Sequence, residues 1–405
     1  MLGSLTYLRG FVLAVLLSAA PLSAAESGGP PTAPQELKFV MHRLGTFRSE
    51  ACGVADFNGD GRLDIIAGPY LYLAPDWQPI QVRALAGSVD QQGKGYYDDF
   101  TNLPLDVDGD GKPDVVSCGW FSKSVTWYRN TLGTAGVWPL GQELVDGNYE
   151  CGDLCDIDGD GQAREILAHT TPTFWFEAGT LADGKRGLVK HVVSDKPMPF
   201  GGGVGDVNGD GRPDILRPTA WFEGPADPRK GTWIEHSWNI GLGAKDGKPD
   251  HTPQILVYDV DGDGLNDIIT SSAHKYGIWW YKQIRDKDQT RWEQRLIDDS
   301  WTQAHSLALG DLNGDGVPEL VAGKRFMAHN GSDPDESGKL CLYWYELRRG
   351  PQPQWIRHVV SSDEGLGSGM NVWLVDLDQD GDLDIVTTGK FGGPVWFENR
   401  RISKP

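Results

Sequence analysis

The chain has 405 residues; Gly (53) and Pro (25) make up about a fifth of it, too many turn formers for long helices and too few for a collagen-like or low-complexity chain. With 39% hydrophobic residues and 16 Trp, 12 Tyr and 13 Phe it can bury a large core, which excludes a disordered chain. The net charge of −20 and the lack of a basic stripe exclude nucleic acid and an anionic membrane surface as partners.

The N-terminal segment has a positive residue (Arg9), an apolar stretch (Phe11–Ala20) and a small-residue cleavage pattern (Ser23-Ala24-Ala25). Residues 1–25 are predicted to be a secretory signal, too short for a membrane span, and the protein is expected to be secreted or periplasmic. Residues 26–36 read as a linker, and no later apolar run is long enough to cross a membrane. Next comes an isolated strand pattern, Phe39-Val-Met-His-Arg-Leu44.

An acidic nine-residue motif then recurs seven times, opening at Asp56, Asp106, Asp156, Asp206, Asp259, Asp311 and Asp376. Each copy runs into a short β-branched segment, such as Asp64-Ile-Ile-Ala67 or Asp267-Ile-Ile-Thr270. In six units an aromatic segment follows, such as Thr126-Trp-Tyr-Arg129 or Tyr343-Trp-Tyr-Glu346. Several units add an outer segment like Trp233-Ile-Glu-His236 or Trp355-Ile-Arg-His358. With the strand before the acidic loop, each unit has four strands, the size and pattern of a propeller blade. The expected fold is all-β: a seven-bladed β-propeller over residues 37–400, with 401–405 as a tail. The last unit stops after its third strand at Asn399, so the isolated N-terminal strand is expected to complete that blade and close the ring, removing a sheet edge.

In each loop oxygen donors occupy positions 1, 3, 5 and 9, and Gly at position 6 permits a sharp turn. The donors are Asp56, Asn58, Asp60 and Asp64; Asp106, Asp108, Asp110 and Asp114; Asp156, Asp158 and Asp160, with Glu165 one residue late because Arg164 holds position 9. The later loops supply Asp206, Asn208, Asp210 and Asp214; Asp259, Asp261, Asp263 and Asp267; Asp311, Asn313, Asp315 and Glu319; and Asp376, Asp378, Asp380 and Asp384. Hard oxygens on a flexible loop suit calcium, and position 12 of the first loop is Ala67 rather than the Glu of an EF-hand. Up to seven structural Ca²⁺ are expected between the first and second strands of the blades. They would bring the charge from −20 to about −6.

These units resemble the FG-GAP/VCBS repeat family of calcium-loop propellers. The resemblance implies the fold and the calcium, while that architecture hosts adhesion, scaffolding and catalysis alike.

Strand alternation puts the connectors entering first strands and leaving second strands on the face opposite calcium. His42, His191, His236 and His358 repeat at the outer-strand position and read as structural. His169, His251, His274, His305 and His329 all fall in connectors of the calcium-free face. Six residues before each loop stand Glu50, Phe100, Glu150, Phe200, Pro253, His305 and Met370, a ring at the channel mouth. A further divalent metal there is a candidate cofactor. The sixth connector, Gly323–Lys339, is unusually long and carries Lys324, Arg325 and His329.

The stretch from His305 through His329-Asn330, ending in Leu342-Tyr-Trp-Tyr-Glu-Leu347, resembles the propeller domain of aldos-2-ulose dehydratases. This second resemblance implies a lyase removing water from keto-sugars. The cupin domains that carry that family's isomerising step have no counterpart after Pro405, so only dehydration is expected. His305 is the expected base, His251, Glu150 and Glu50 metal ligands or acid, and Lys324 and Arg325 charges for the enolate. His169, His274 and His329 complete the candidate set.

The alternative is a non-catalytic propeller binding glycan or protein, with Trp120, Tyr96 and Tyr97 suited to sugar stacking. The expected partner is a carbohydrate substrate or a glycan ligand, with protein left open under the second alternative, and the chain is expected to act as a monomer. The five cysteines leave at least one unpaired; a cross-strand bond from Cys118 to Cys151 or Cys155 is one arrangement, and their spacing fits no zinc module.

Overall fold

A computed structural model describes residues 37–133, 136–145, 147–238, 240, 251–287 and 289–401. The signal, linker and most of the tail expected from the sequence lie outside these residues. The described chain is a seven-bladed β-propeller of four-stranded antiparallel sheets, with no α-helix among the described residues. Blade 1 is Cys52–Ala55, Asp64–Ala67, Tyr70–Tyr72 and Pro79–Gln81, paired in that order. The first strands of successive blades lie side by side and are the inner ones. Blade 7 takes three strands from Val372 to Asn399, and its fourth is Phe39–Phe47, paired antiparallel with Gly393–Asn399.

The second strands are the most deeply buried, as their β-branched sequences require; Ile65, Ile66, Val115 and Val116 are fully enclosed. Neighbouring blades share their apolar clusters. One holds Leu103, Val116 and Trp127 of blade 2 against Ile166, Phe174 and Phe176 of blade 3. The third-strand tryptophans belong to this packing.

On four blades the outer-strand histidine lies flat on the third-strand tryptophan, with centroids 4.4 Å apart for His42–Trp396, 4.2 Å for His191–Trp175, 4.1 Å for His236–Trp221 and 4.0 Å for His358–Trp344. Each imidazole also bonds the Glu two residues beyond that Trp: Glu398, Glu177, Glu223 and Glu346 respectively. The register explains the repetition, because each His is the direct cross-strand partner of its Trp.

The acidic loops share one conformation. Asp56 Oδ1 accepts from the amides of Gly59 and Asp60 at 2.7 and 3.1 Å, and its Oδ2 from Gly61 at 2.8 Å. The position-6 glycines all have φ between +84° and +96°, a left-handed backbone that disfavours other residues. The position-9 carboxylate is buried as an anchor: Asp64 accepts from Phe57 N at 3.0 Å and from Ala74 N, beyond the third strand, at 2.9 Å. Glu165 makes the equivalent contact with Ile157 N at 2.9 Å, and Glu319 with Leu312 N at 2.8 Å.

All five cysteines are free thiols, so the Cys118 cross-link is not formed.

Candidate functional site on the face opposite the acidic loops

In every blade the first strand runs toward its acidic loop, so its entry and the exit of the second strand share the other face. Glu50 and Glu150 enter the first strands of blades 1 and 3, and His305 that of blade 6. Arg325 leaves the second strand of blade 6, Glu319–Lys324, and reaches across to all three. It is 1% exposed, donates Nε to Glu50 Oε1 at 2.7 Å and Nη1 to Glu150 Oε1 at 2.9 Å, and has Nη1 2.9 Å from His305 Nε2.

A guanidinium only donates, so His305 accepts at Nε2 and carries its proton on Nδ1. Burial, then the charge of Arg325, lowers the His305 pKa to about 4. Burial opposes ionisation of Glu150, but the charge of Arg325, whose Nη1 donates to its Oε1, outweighs it and holds the carboxyl well below its usual range.

Beside this cluster lies a cavity of about 290 Å³. Tyr96, Phe100, Trp120, Phe121 and Phe200 line it together with Glu150, His251, His274, Arg325 and His329. Phe100, Cys151 and Met370, from blades 2, 3 and 7, pack together beneath it, and Gln254 Nε2 donates to Met370 O at 3.3 Å. Of the ring expected at the channel mouth, Phe100, Glu150 and Phe200 line this cavity and Met370 packs against Phe100. His251 Nδ1 accepts from Phe200 N at 3.0 Å, which leaves the ring proton of the neutral imidazole on Nε2 as a donor.

His274 and His329 stack with centroids 4.2 Å apart. Their Nδ1 atoms lie 3.3 and 2.8 Å from one oxygen, Asp333 Oδ2. Burial raises the Asp333 pKa, but its contacts with His274 and His329 prevail and bring it to about 2. Glu336 accepts from the amides of His329, Gly331 and Asp333, and Tyr96 donates its hydroxyl to Ala328 O, so the long connector is held in place.

Three expected residues are placed elsewhere. Lys324 precedes Arg325 and points to the other side, where Nζ donates to Thr302 Oγ1 and Asp335 Oδ2, each at 2.8 Å. His169 is buried within blade 3, its Nε2 3.1 Å from Asp153 Oδ2. Tyr97 packs on Phe47, centroids 4.6 Å apart, rather than lining the cavity. His305 joins the cluster, but 1% exposed and beneath Arg325 it does not line the cavity, so its expected role as base does not fit. Glu50 is likewise engaged by Arg325.

Sequence reasoning passed over Asp333 and Lys390. Lys390 Nζ donates to Met327 O at 2.8 Å, lies 3.8 Å from Glu50 Oε2 and stands 3.7 Å over the Tyr96 ring. Burial lowers its pKa to about 8. A signal existed: six residues after the position-9 carboxylate stand Trp120, Arg325 and Lys390, all at this site. The hairpin Gly87–Val89/Gly95–Tyr97, which delivers Tyr96, has no counterpart in the other blades among the described residues.

On the opposite face, acidic side chains of single loops converge. Asp106, Asp108 and Asp114 bring carboxylate oxygens within 4.8 Å of one another, as do Asp156, Asp158 and Asp160, and Asp259, Asp261 and Asp263. An all-oxygen set on a loop with irregular spacing fits a hard, geometrically tolerant cation such as calcium.

Residues 106–163 and 259–322 match the FG-GAP-like repeat family. Among solved structures, the extracellular domain of a hybrid two-component system from B. thetaiotaomicron aligns at 12% identity and TM-score 0.50, over 92% of this chain and 40% of that one. The chain thus spans less than half the length of that relative. The β-propeller domain of Cps50 (Swd1) from Myceliophteria thermophila aligns at 9% identity and TM-score 0.46, over 90% of this chain and 100% of the other. The V. cholerae biofilm matrix protein Bap1 aligns at 13% identity and TM-score 0.36, over 89% and 81%. At these identities the likeness concerns the fold.

Proposed function

We propose that this chain, a member of the FG-GAP-like repeat propellers, is an exported carbohydrate lyase that eliminates water or a glycosidic oxygen from a keto-sugar. One observation carries the reading: Glu150, Arg325, His251, His274 and His329 converge on a single cavity walled by aromatic rings. Burying a guanidinium with two carboxylates costs several kcal/mol per ion before pairing offsets it. A ring built only for shape gains nothing from that, and such clusters concentrate at functional sites.

The reaction asks for three things. A base removes the proton from the carbon beside the carbonyl, whose C–H electrons become the new double bond. A positive or donor group stabilises the enolate oxygen. An acid protonates the β-oxygen, which leaves as water or as an alcohol. Arg325 and the Nε2–H of His251 are donors at the cavity. The base function falls to the group of His274, His329 and Asp333, in place of the His305 expected from sequence. Tyr96, Trp120 and Phe200 offer apolar faces for a sugar ring. The acidic loops hold structural calcium at the far face, up to seven ions, and the signal-like pattern in residues 1–25 supports export.

Enone absorbance from a panel of keto-sugars and keto-glycosides, with saturating calcium, tests the reading. Activity that disappears in Arg325→Met and His329→Gln supports it. No enone from any member of the panel, with folded protein, would sink it. That result would leave a non-catalytic glycan-binding propeller, which the rim position of Phe121, 57% exposed above the aromatic cavity, favours as second reading.

A further inference from the structure

The acidic loop of blade 5 differs from the others in the side chain set beside it. In four blades the residue two beyond the third-strand Trp is the Glu that binds the outer-strand His. Blades 2 and 5 have no such His: Gln142 stands opposite Trp127 and Arg295 opposite Trp280. There the residue two beyond the Trp is a cation, Arg129 or Lys282. The third strand is antiparallel to the second and so runs toward the acidic-loop face, which delivers that side chain to the loop of its own blade.

Lys282 Nζ donates to Asp261 Oδ2 and, at 2.7 Å, to Asp263 Oδ2, which are positions 3 and 5 of the loop. Among the described residues no other cation joins those two positions. Arg62, Arg164 and Arg212 touch only position 5 of their loops and Arg129 only position 3, with side chains between 41% and 55% exposed against 17% for Lys282. The loop itself has changed in response. In five loops an oxygen at position 3 accepts from the amide of position 5, as Asn58 Oδ1 does from Asp60 N at 2.8 Å. Asp261 instead gives its Oδ2 to the ammonium, and its Oδ1 is left buried without a hydrogen-bond partner. Asp259 keeps the usual bonds from the amides of Gly262, Asp263 and Gly264, so the backbone holds the shared conformation.

We propose that the Lys282 ammonium is the cation of the blade 5 loop, standing where the other loops would hold calcium, so that the chain binds one ion fewer than its acidic loops suggest. Calcium takes six to eight oxygens, and positions 3 and 5 supply two of the four side-chain donors of this loop. An ammonium bonded to both is a compact positive charge that repels an ion entering between them. Tethering favours it further. Extracellular modules bind calcium at roughly 10⁻⁴–10⁻³ M, whereas a group held on the same chain acts at an effective concentration of about millimolar. The inference rests on calcium as the ion of the other loops and is independent of the lyase reading. It leaves blade 5, with the longest hairpin among the described residues, Tyr276–Asp286 with Gln289–Thr302, a loop that stays closed when calcium is removed.

The test is a count of calcium bound at saturation by the whole folded protein, by equilibrium dialysis, with wild type beside Lys282→Met. Lys282→Met should take up one ion per chain more than the wild type. It should also melt lower than the wild type in chelator and regain more on adding calcium, because it has lost the tethered charge. If it fails to fold, Lys282→Gln prepared in calcium gives the same count. Arg62→Met, which frees only position 5 of the first loop, should leave the count unchanged; a rise there as well would show that any cation beside a loop displaces an ion and would overturn the special place of Lys282. Equal counts in folded wild type and Lys282→Met would overturn the tethered cation and leave calcium in the loops standing. No calcium bound by either protein would overturn both.

Discussion

Arg325 and Glu150, 175 positions apart in sequence, meet with Nη1 2.9 Å from Oε1, both buried at the wall of the cavity. The same guanidinium holds Glu50, so one side chain from blade 6 ties blades 1 and 3 at the face opposite the acidic loops. The site and the stability of the ring are therefore coupled.

Replacing Arg325 leaves two buried carboxylates without a counter-charge. Arg325→Met should lower unfolding free energy by about 3–5 kcal/mol, read by urea denaturation in saturating calcium. Arg325→Lys should recover only part of this, because an ammonium cannot fork to both carboxylates. A loss of less than about 1 kcal/mol, the size seen for ion pairs exposed to solvent, would mean that the cluster is hydrated.

Removing calcium should make stability depend on pH with a definite sign. Burial raises the pKa of Asp64, Asp114, Asp214 and Asp267 to about 6, of Glu165 and Asp384 to about 7, and of Glu319 to about 8. These folded values exceed those of the unfolded chain, about 3.9 for Asp and 4.3 for Glu. Their contribution is thus complete below the unfolded values and is lost as pH rises through about 6 to 8. In chelator, the melting temperature should fall over that window. Calcium should restore it most at the upper end, where the carboxylates are ionised. A chelated protein that gained stability over the same rise would contradict the assignment.

The repeated outer-strand histidines should be structural. His358 stacks on Trp344 at 4.0 Å and 11° and bonds Glu346 at 3.2 Å. His358→Ala should cost about 1 kcal/mol by urea denaturation, the scale of an aromatic pair, with no effect on turnover or ligand binding. Loss of function in a stably folded His358→Ala would move attention to the outer edge.

At Gly61 a Cβ would have open space, but φ is +88°. Gly61→Ala should therefore destabilise by about 1–2 kcal/mol through backbone strain alone. Thermal unfolding checks this, with Gly350→Ala, likewise unobstructed but not left-handed, expected near neutral.

Native thiols should be unreactive. Burial raises the pKa of Cys118 and Cys341 to about 12 and pushes Cys151 and Cys155 well above their usual range. A disulfide reagent at neutral pH should titrate none of them until urea is added, and then all five.

Much of this architecture is local information and can be read in one dimension. A blade needs only alternating apolar residues, a glycine where φ turns positive, and a carboxylate that ties loop to strand. All lie within about 50 consecutive residues, and seven copies make the pattern unmistakable. Even the late Glu165 could be assigned, because a strand's pairing tolerates one extra loop residue. The site is different in kind. Counting back from the loops brought Glu50, Glu150 and His305 to one face, since strand direction alternates. The sequence could not say that Arg325 would cover His305, that Lys324 would point the other way, or that Asp333 would meet two imidazoles. Those outcomes depend on which side chains from distant blades compete for the same buried volume and the same lone pairs. Only the closed ring brings them within reach of one another.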